Sequence, residues 1–177
     1  FESSLKTAPK FVHWVKHELS WSKLNFDGSK TTNNRSAIGY VIRDDKAKVS
    51  LLGAKCCGYT FVLVGEALTL KERIRAEKFL GIKKLEIEGD NLCLINAIKF
   101  NWRLPWKIEF IINDIKCDLR DFYDFRITHI FKEANKVADF MENTRHNSPY
   151  LSRWFESPNI EMSHLIRRDE LGWAVLR

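Results

Sequence analysis

Four carboxylates stand out, three at the border of a regular element and one within the last helix. Asp27 closes the alternating run Lys23-Leu24-Asn25-Phe26-Asp27, which reads as a strand broken by a Gly28-Ser29 turn. Glu66 opens a helical stretch, Asp90 follows a second alternating run containing Leu85 and Ile87, and Asp139 lies in a third apolar-periodic segment. An acid held by a rigid element yet open to solvent can ligate a hard cation. Brought together, such acids repel, and their pKa values rise unless a cation neutralises them. The alternative is that they lie apart and are merely solvated. Four carboxylates without a His/Cys set suit Mg2+ or Mn2+ rather than zinc.

The elements that must position them follow from periodicity. After a lead-in over 1–20, partly helical around Phe11–Leu19, strands are predicted at Lys23–Asp27, Ala37–Arg43 and Val49–Tyr59. The turn Asp44-Asp45-Lys46 joins the last two as a meander. Ala67, Leu68, Leu70 and Ile74 predict a helix over Gly65–Leu80, stopped by Gly81. A fourth strand spans Ile82–Glu88, and Asn91 caps a helix over Leu92–Phe100. Beyond Pro105, the spacing of Ile108, Ile111, Ile112, Ile115 and Leu119 gives an amphipathic helix. A fifth strand covers Phe125–Ile130, and a helix with Val137 and Met141 inward covers Ala134–Asn143. Residues 144–177, with Pro149 and Pro158, read as a tail on the domain or partly mobile, with a weak helix near Met162–Asp169. The order β-β-β-α-β-α-α-β-α predicts an α/β fold, a mixed sheet with helices on both faces. If the first and fourth strands pair in parallel, Asp27 and Asp90 become neighbours at one sheet edge.

Composition bounds the partner. The chain has 177 residues, 45% hydrophobic and 29% charged, enough for one domain with a core, and carries a net charge of +6 at a pI near 9.2. A polyanion is the favoured partner, nucleic acid before an acidic membrane. Cys56, Cys57, Cys93 and Cys117 have neither zinc-site spacing nor disulfide density, which fits a reducing, intracellular compartment, nuclear or cytoplasmic. His13 and His17, spaced i, i+4, lack a third ligand and read as surface residues. No stretch is apolar enough to span a membrane. Opening on Phe1 rather than Met, the chain is expected to be a piece of something longer.

Several pieces, in order, carry a resemblance. They are Trp21-x-Lys23-Leu24-Asn25-x-Asp27-Gly28-Ser29, Gly39-Tyr40-Val41-Ile42-Arg43-Asp44, Gly65-Glu66-Ala67-Leu68-x-Leu70, Leu80-Gly81-Ile82, Leu85-x-Ile87-x-x-Asp90 and His129-Ile130-x-x-Glu133-Ala134-Asn135-x-Val137-Ala138-Asp139. Over 21–143 the sequence resembles a ribonuclease H domain of the type found in plant non-LTR retroelement polyproteins. The last piece is the specific one. Gly65 stands where Ala is commoner, Ala37-Ile38 replaces a glycine pair, and Gly89-Asp90-Asn91 replaces Thr/Ser-Asp-Ser, but no carboxylate is lost.

The resemblance implies a five-stranded sheet of order 3-2-1-4-5 with only the second strand antiparallel. It also implies a metal-dependent endonuclease that hydrolyses the RNA strand of RNA/DNA hybrids. Asp27, Glu66, Asp90 and Asp139 would be the ligands of two Mg2+ (or Mn2+) ions, Asp27 bridging them. His129, ten residues before Asp139, would be the catalytic histidine, or else a strand-end residue with a structural hydrogen bond. Ser29, Asn33, Asn34, Asn91 and Asn135 are candidate contacts to 2′-hydroxyl, ribose or phosphate, and Lys30, Arg35, Lys132 and Lys136 to phosphate. An upstream reverse transcriptase domain and a monomeric state are expected. The competing class is a domesticated module that binds nucleic acid or protein without cutting.

Overall fold

The computed structural model describes residues 10–30, 33–100, 102, 104, 106–144, 152–155 and 159–177. The start of the lead-in and the breakers Pro105, Pro149 and Pro158 lie outside the described residues. In chain order the strands are β1 (Phe11–Val12), β2 (Ser22–Lys30), β3 (Ser36–Arg43), β4 (Val49–Gly58), β5 (Lys84–Gly89), β6 (Asp124–His129), β7 (Ser152–Trp154) and β8 (Val175–Leu176). The helices are α1 (Val62–Phe79), α2 (Leu92–Lys99), α3 (Trp106–Leu119), α4 (Lys136–Asn143) and α5 (Ile160–Glu170), with a 3-10 turn at Lys132–Ala134 before α4.

Among the described residues the main sheet has six strands, in the order β6-β5-β2-β3-β4-β7. Its first five reproduce the expected order and directions. β2, β5 and β6 are mutually parallel, and β3 is antiparallel to β2 and β4. The expectation of five strands with one antiparallel is corrected by β7, which adds to the outer edge of β4 in antiparallel register. β7 is three residues long. A strand so short leaves no periodic trace in a sequence.

Both faces are covered. Leu24, Phe26, Leu85 and Ile87 pack beneath α1, α2 and α3, against Leu70, Ile74, Leu94 and Ile112. Val41, Leu52 and Ala54 pack on the other face against Val137 and Met141 of α4 and Met162 of α5. β1 and β8 form a separate antiparallel ribbon joining the two ends of the described chain.

Local corrections have tertiary causes. The lead-in is not helical over Phe11–Leu19. Phe11 and Val12 pair with β8, and Trp14 turns inward to donate from its indole Nε1 to Asn25 Oδ1 at 3.0 Å. His17, expected at the surface, is buried, and burial lowers its pKa. Leu68 lies on the exposed side of α1. Gly28-Ser29 is no turn, because β2 stays paired with β3 through Lys30–Ser36.

Candidate metal centre

Asp27 sits where the sheet forks. Pairing of β2 with β5 ends at Phe26–Gly89, whereas pairing with β3 runs on past Asp27–Gly39. The chain leaving β5 turns away at Asp90. β6 follows it one bond further, Ile130 N–H donating to Gly89 O at 3.0 Å. The gap between two parallel strand ends is where open α/β sheets collect ligands.

Two helices bring the other acids. Glu66 lies one turn inside α1 and reaches over Gly28, where a Cβ would come within 2.8 Å of Glu66 Cγ. α4 lies almost on β3. A Cβ at Gly39 would come within 2.2 Å of Glu142 N and 2.3 Å of Ala138 O. Gly39 pairs with Asp27, so this close approach sets the inner face of α4 beside that carboxylate.

The result is two carboxylate triads sharing one member. Single oxygens of Asp27, Glu66 and Asp90 lie within 4.8 Å of one another, and so do those of Asp27, Asp139 and Glu142. Glu142 escapes notice in the sequence, although it stands i+3 from Asp139 on the same helix. The signal is a carboxylate placed among the buried positions Val137, Ala138 and Met141. Ser29 Oγ donates to Glu142 Oε1.

The electrostatics match crowded acids. Asp27 is 4% exposed; Oδ1 accepts from Gly28 N–H at 2.7 Å, while Oδ2 is buried without a hydrogen-bond partner. Burial, then the charge of Asp90, pushes its pKa up to about 9. Burial pushes Glu66 up to about 8, against a hydrogen bond from Asn91 Nδ2 that favours the charged form. Lys132 Nζ pairs with Asp139 Oδ1 at 2.9 Å and Lys136 Nζ with Oδ2 at 3.4 Å. These two lysines, expected to face phosphate, supply cationic charge to the acids themselves. An orphaned buried carboxylate oxygen amid hard oxygen donors fits divalent cations of the magnesium type.

The remaining candidates divide. His129 closes β6 with Nε2 3.1 Å from Asp90 O, beside the acids. Asn91 caps α2 through Leu94 N–H at 3.2 Å while holding Glu66. Asn135 is buried, its Nδ2 donating to Phe26 O at 2.8 Å, and it ties the start of α4 to β2. Asn33 and Asn34 are exposed in the β2–β3 connection, outside both triads, and Lys30 Nζ donates to Asn34 Oδ1 at 2.8 Å. A cavity of about 550 Å³ lined by Trp21, Leu51, Glu77 and Phe155 contains no member of the two triads.

Residues 25–143 match the family model described as reverse transcriptase-like. An Arabidopsis thaliana protein bearing a ribonuclease H name is 23% identical over 171 residues, covering 92% of this chain and 26% of that protein. The chain thus spans about a quarter of the length of that curated relative. RNase H1 of Halobacterium salinarum superposes with a TM-score of 0.63 at 22% identity, over 70% of this chain and 95% of that one. LC11-RNase H1, solved in complex with an RNA/DNA hybrid, superposes with a TM-score of 0.62 at 19% identity, over 70% of this chain and 94% of that one.

Proposed function

Because this chain belongs to the reverse transcriptase-like family and has the ribonuclease H fold, we propose that it hydrolyses the RNA strand of RNA/DNA hybrids with two divalent ions, leaving 5′-phosphate and 3′-hydroxyl ends. The observation that carries this reading is Asp27. Its Oδ2 is a buried oxygen without a hydrogen-bond partner, at the one residue common to both carboxylate triads.

Asp27, Glu66 and Asp90 would hold one Mg2+ or Mn2+, and Asp27, Asp139 and Glu142 the other. Bound there, the ions supply an activated water and neutralise charge on the phosphodiester. Asn91 fixes the Glu66 carboxylate and Ser29 the Glu142 carboxylate, so that both arrive oriented. His129 moves protons at the leaving side or helps release product. Lys132 and Lys136 pair with Asp139 and would be free to turn to phosphate once bound cations neutralised the acids. Asn33, Asn34 and Ser29, at the exposed end of β2 and its connection to β3, are the proposed readers of the hybrid's 2′-hydroxyls, with Asn91 beside Glu66; Asn135, buried against Phe26 O, holds α4 in place. A reverse transcriptase domain elsewhere in a longer protein would supply the hybrid. Among the described residues no helix is long and apolar enough to cross a membrane.

The test is cleavage of a labelled RNA/DNA hybrid in Mg2+ against EDTA, with double-stranded DNA as control. Metal-dependent cuts confined to the RNA strand are expected. Hybrid binding without any metal-dependent cut would replace this reading with that of a non-cutting nucleic-acid-binding module.

A further inference from the structure

The ends of the described chain meet beside the candidate metal centre. Val12 pairs with Val175 and Phe11 with Leu176, and Arg177 N–H donates to Lys10 O at 2.9 Å. This ribbon delivers the guanidinium of Arg177 over the ring of Phe131, with Cζ 3.7 Å from the centroid. Phe131 in turn makes a T-shaped contact with His129, the centroids 5.8 Å apart and the rings at 88°. His129 Nε2 lies 3.1 Å from Asp90 O. One line of contacts therefore runs from the ribbon, through an aromatic ring, to the histidine and the acid-bearing turn.

We propose that Arg177 is a positioning residue for His129, acting through Phe131. The proposal rests on the proposed catalytic place of His129 beside the acid-bearing turn. Phe131 is 38% exposed and lies on the connection between β6 and the 3-10 turn. A ring so placed keeps rotational freedom unless something covers its face. The planar guanidinium covers it, and a planar cation stacks on an aromatic face better than an ammonium does. With Phe131 held, the His129 ring has a perpendicular aromatic ring on one side and the Asp90 carbonyl on another. The contact lies at the surface, where such a pair adds little to stability. Its effect is felt in the orientation of the ring it restrains.

The experiment uses residues 1–177 intact. Arg177→Ala should lower kcat on a hybrid by about two- to fivefold, the worth of an exposed cation–π contact, and leave KM unchanged. Arg177→Lys should recover part of the loss. In a His129→Ala background Arg177→Ala should have no further effect. Independently of activity, the His129 ring-proton resonances of the metal-free protein should move or broaden in Arg177→Ala, while those of His164 hold. Equal losses in both backgrounds, a raised KM at constant kcat, or unchanged His129 resonances would each overturn the proposal. If the wild type does not cleave hybrids at all, the resonances still decide the positioning role, and the failure belongs to the hydrolytic reading.

Discussion

Asp27 faces opposite demands with and without metal. In the metal-free protein its carboxyl and that of Glu66 hold protons up to about 9 and about 8, against ordinary values of 3.8 and 4.5. Between these limits the folded state binds more protons than the unfolded chain, so metal-free stability falls as pH rises from about 4 to about 9. The melting temperature in EDTA should therefore decline from pH 5 to pH 9. Protons compete with metal for the same oxygens, so the gain on adding Mg2+ should grow over the same interval. At ten times the dissociation constant that gain is about 1.4 kcal/mol, roughly 3–6 °C for a chain of this size. Asp27→Asn should raise the metal-free melting temperature at pH 8 and abolish the Mg2+ increment; a melting temperature insensitive to both pH and Mg2+ would contradict the metal assignment. Asp90→Asn removes a charge and, on the proposed reading, a hard ligand, with little change of shape. It should lower hybrid cleavage by at least about 10²-fold, because the lost interaction is made mainly in the transition state. Hybrid binding, followed by fluorescence anisotropy, should be equal or slightly tighter.

At the scale of elements, the seating of α4 on β3 is the decisive packing event. Gly39 permits it. A methyl there would press into Glu142 N and Ala138 O, which are backbone atoms of a helix and cannot swing aside. Gly39→Ala should cost about 1–3 kcal/mol in urea unfolding, the usual price of overpacking. It should also weaken metal binding and cleavage together, because α4 carries both Asp139 and Glu142. Loss of stability with unaltered Mg2+ affinity would show that α4 can shift without moving its acids. Gly28 plays the matching part for α1. Its small volume lets Glu66 lie across β2, so a residue that reads locally as a turn former serves as a gap in a strand.

For the whole molecule, the segments flanking the family match are joined to the sheet through a buried polar network. Asn25 Oδ1 accepts from Trp14 Nε1 at 3.0 Å and from Arg43 Nη1 at 2.9 Å, and Arg43 Nη2 donates to Asp169 Oδ2 of α5 at 2.7 Å. Lys23 Nζ donates to Val15 O and to Glu88 Oε1, both at 2.7 Å. Met162 of α5 completes the core beneath α4. Removing one partner of such a network leaves the others buried and uncompensated. Arg43→Ala is expected to cost about 3–5 kcal/mol by denaturant unfolding, and Met162→Ala about 2–5 kcal/mol. Arg75→Ala, on the exposed ladder to Asp114 and Asp118, should leave the melting temperature nearly unchanged. Comparable losses for Arg43→Ala and Arg75→Ala would mean that α5 and the lead-in are only loosely attached.

What the sequence determined by itself is whatever is periodic or local. Alternation over 23–27 and 85–87 marked the two strands whose parallel pairing brings Asp27 and Asp90 together. The isoleucine spacing of 108–119 marked α3, and Asn91 marked a cap that the backbone indeed uses. Tertiary structure decided everything that depends on a partner distant in the chain. Whether Asp27-Gly28 turns or continues depends on the ladder to β3, since the dipeptide is compatible with both. Glu142 joins the acids because Gly39 lacks a side chain, a fact recorded 103 residues away from it. β1, β7 and β8 have two or three residues each, too few for a period; β7 exists because the edge of β4 was open to receive it, and β1 and β8 because the two ends of the described chain meet. His17 and Arg43 are polar by type and buried by position: Trp14 of the lead-in and Asp169 of α5 close over Arg43, and His17 is carried inward with the lead-in itself. Spacing along the chain names the groups that could do chemistry; packing across it decides which of them meet.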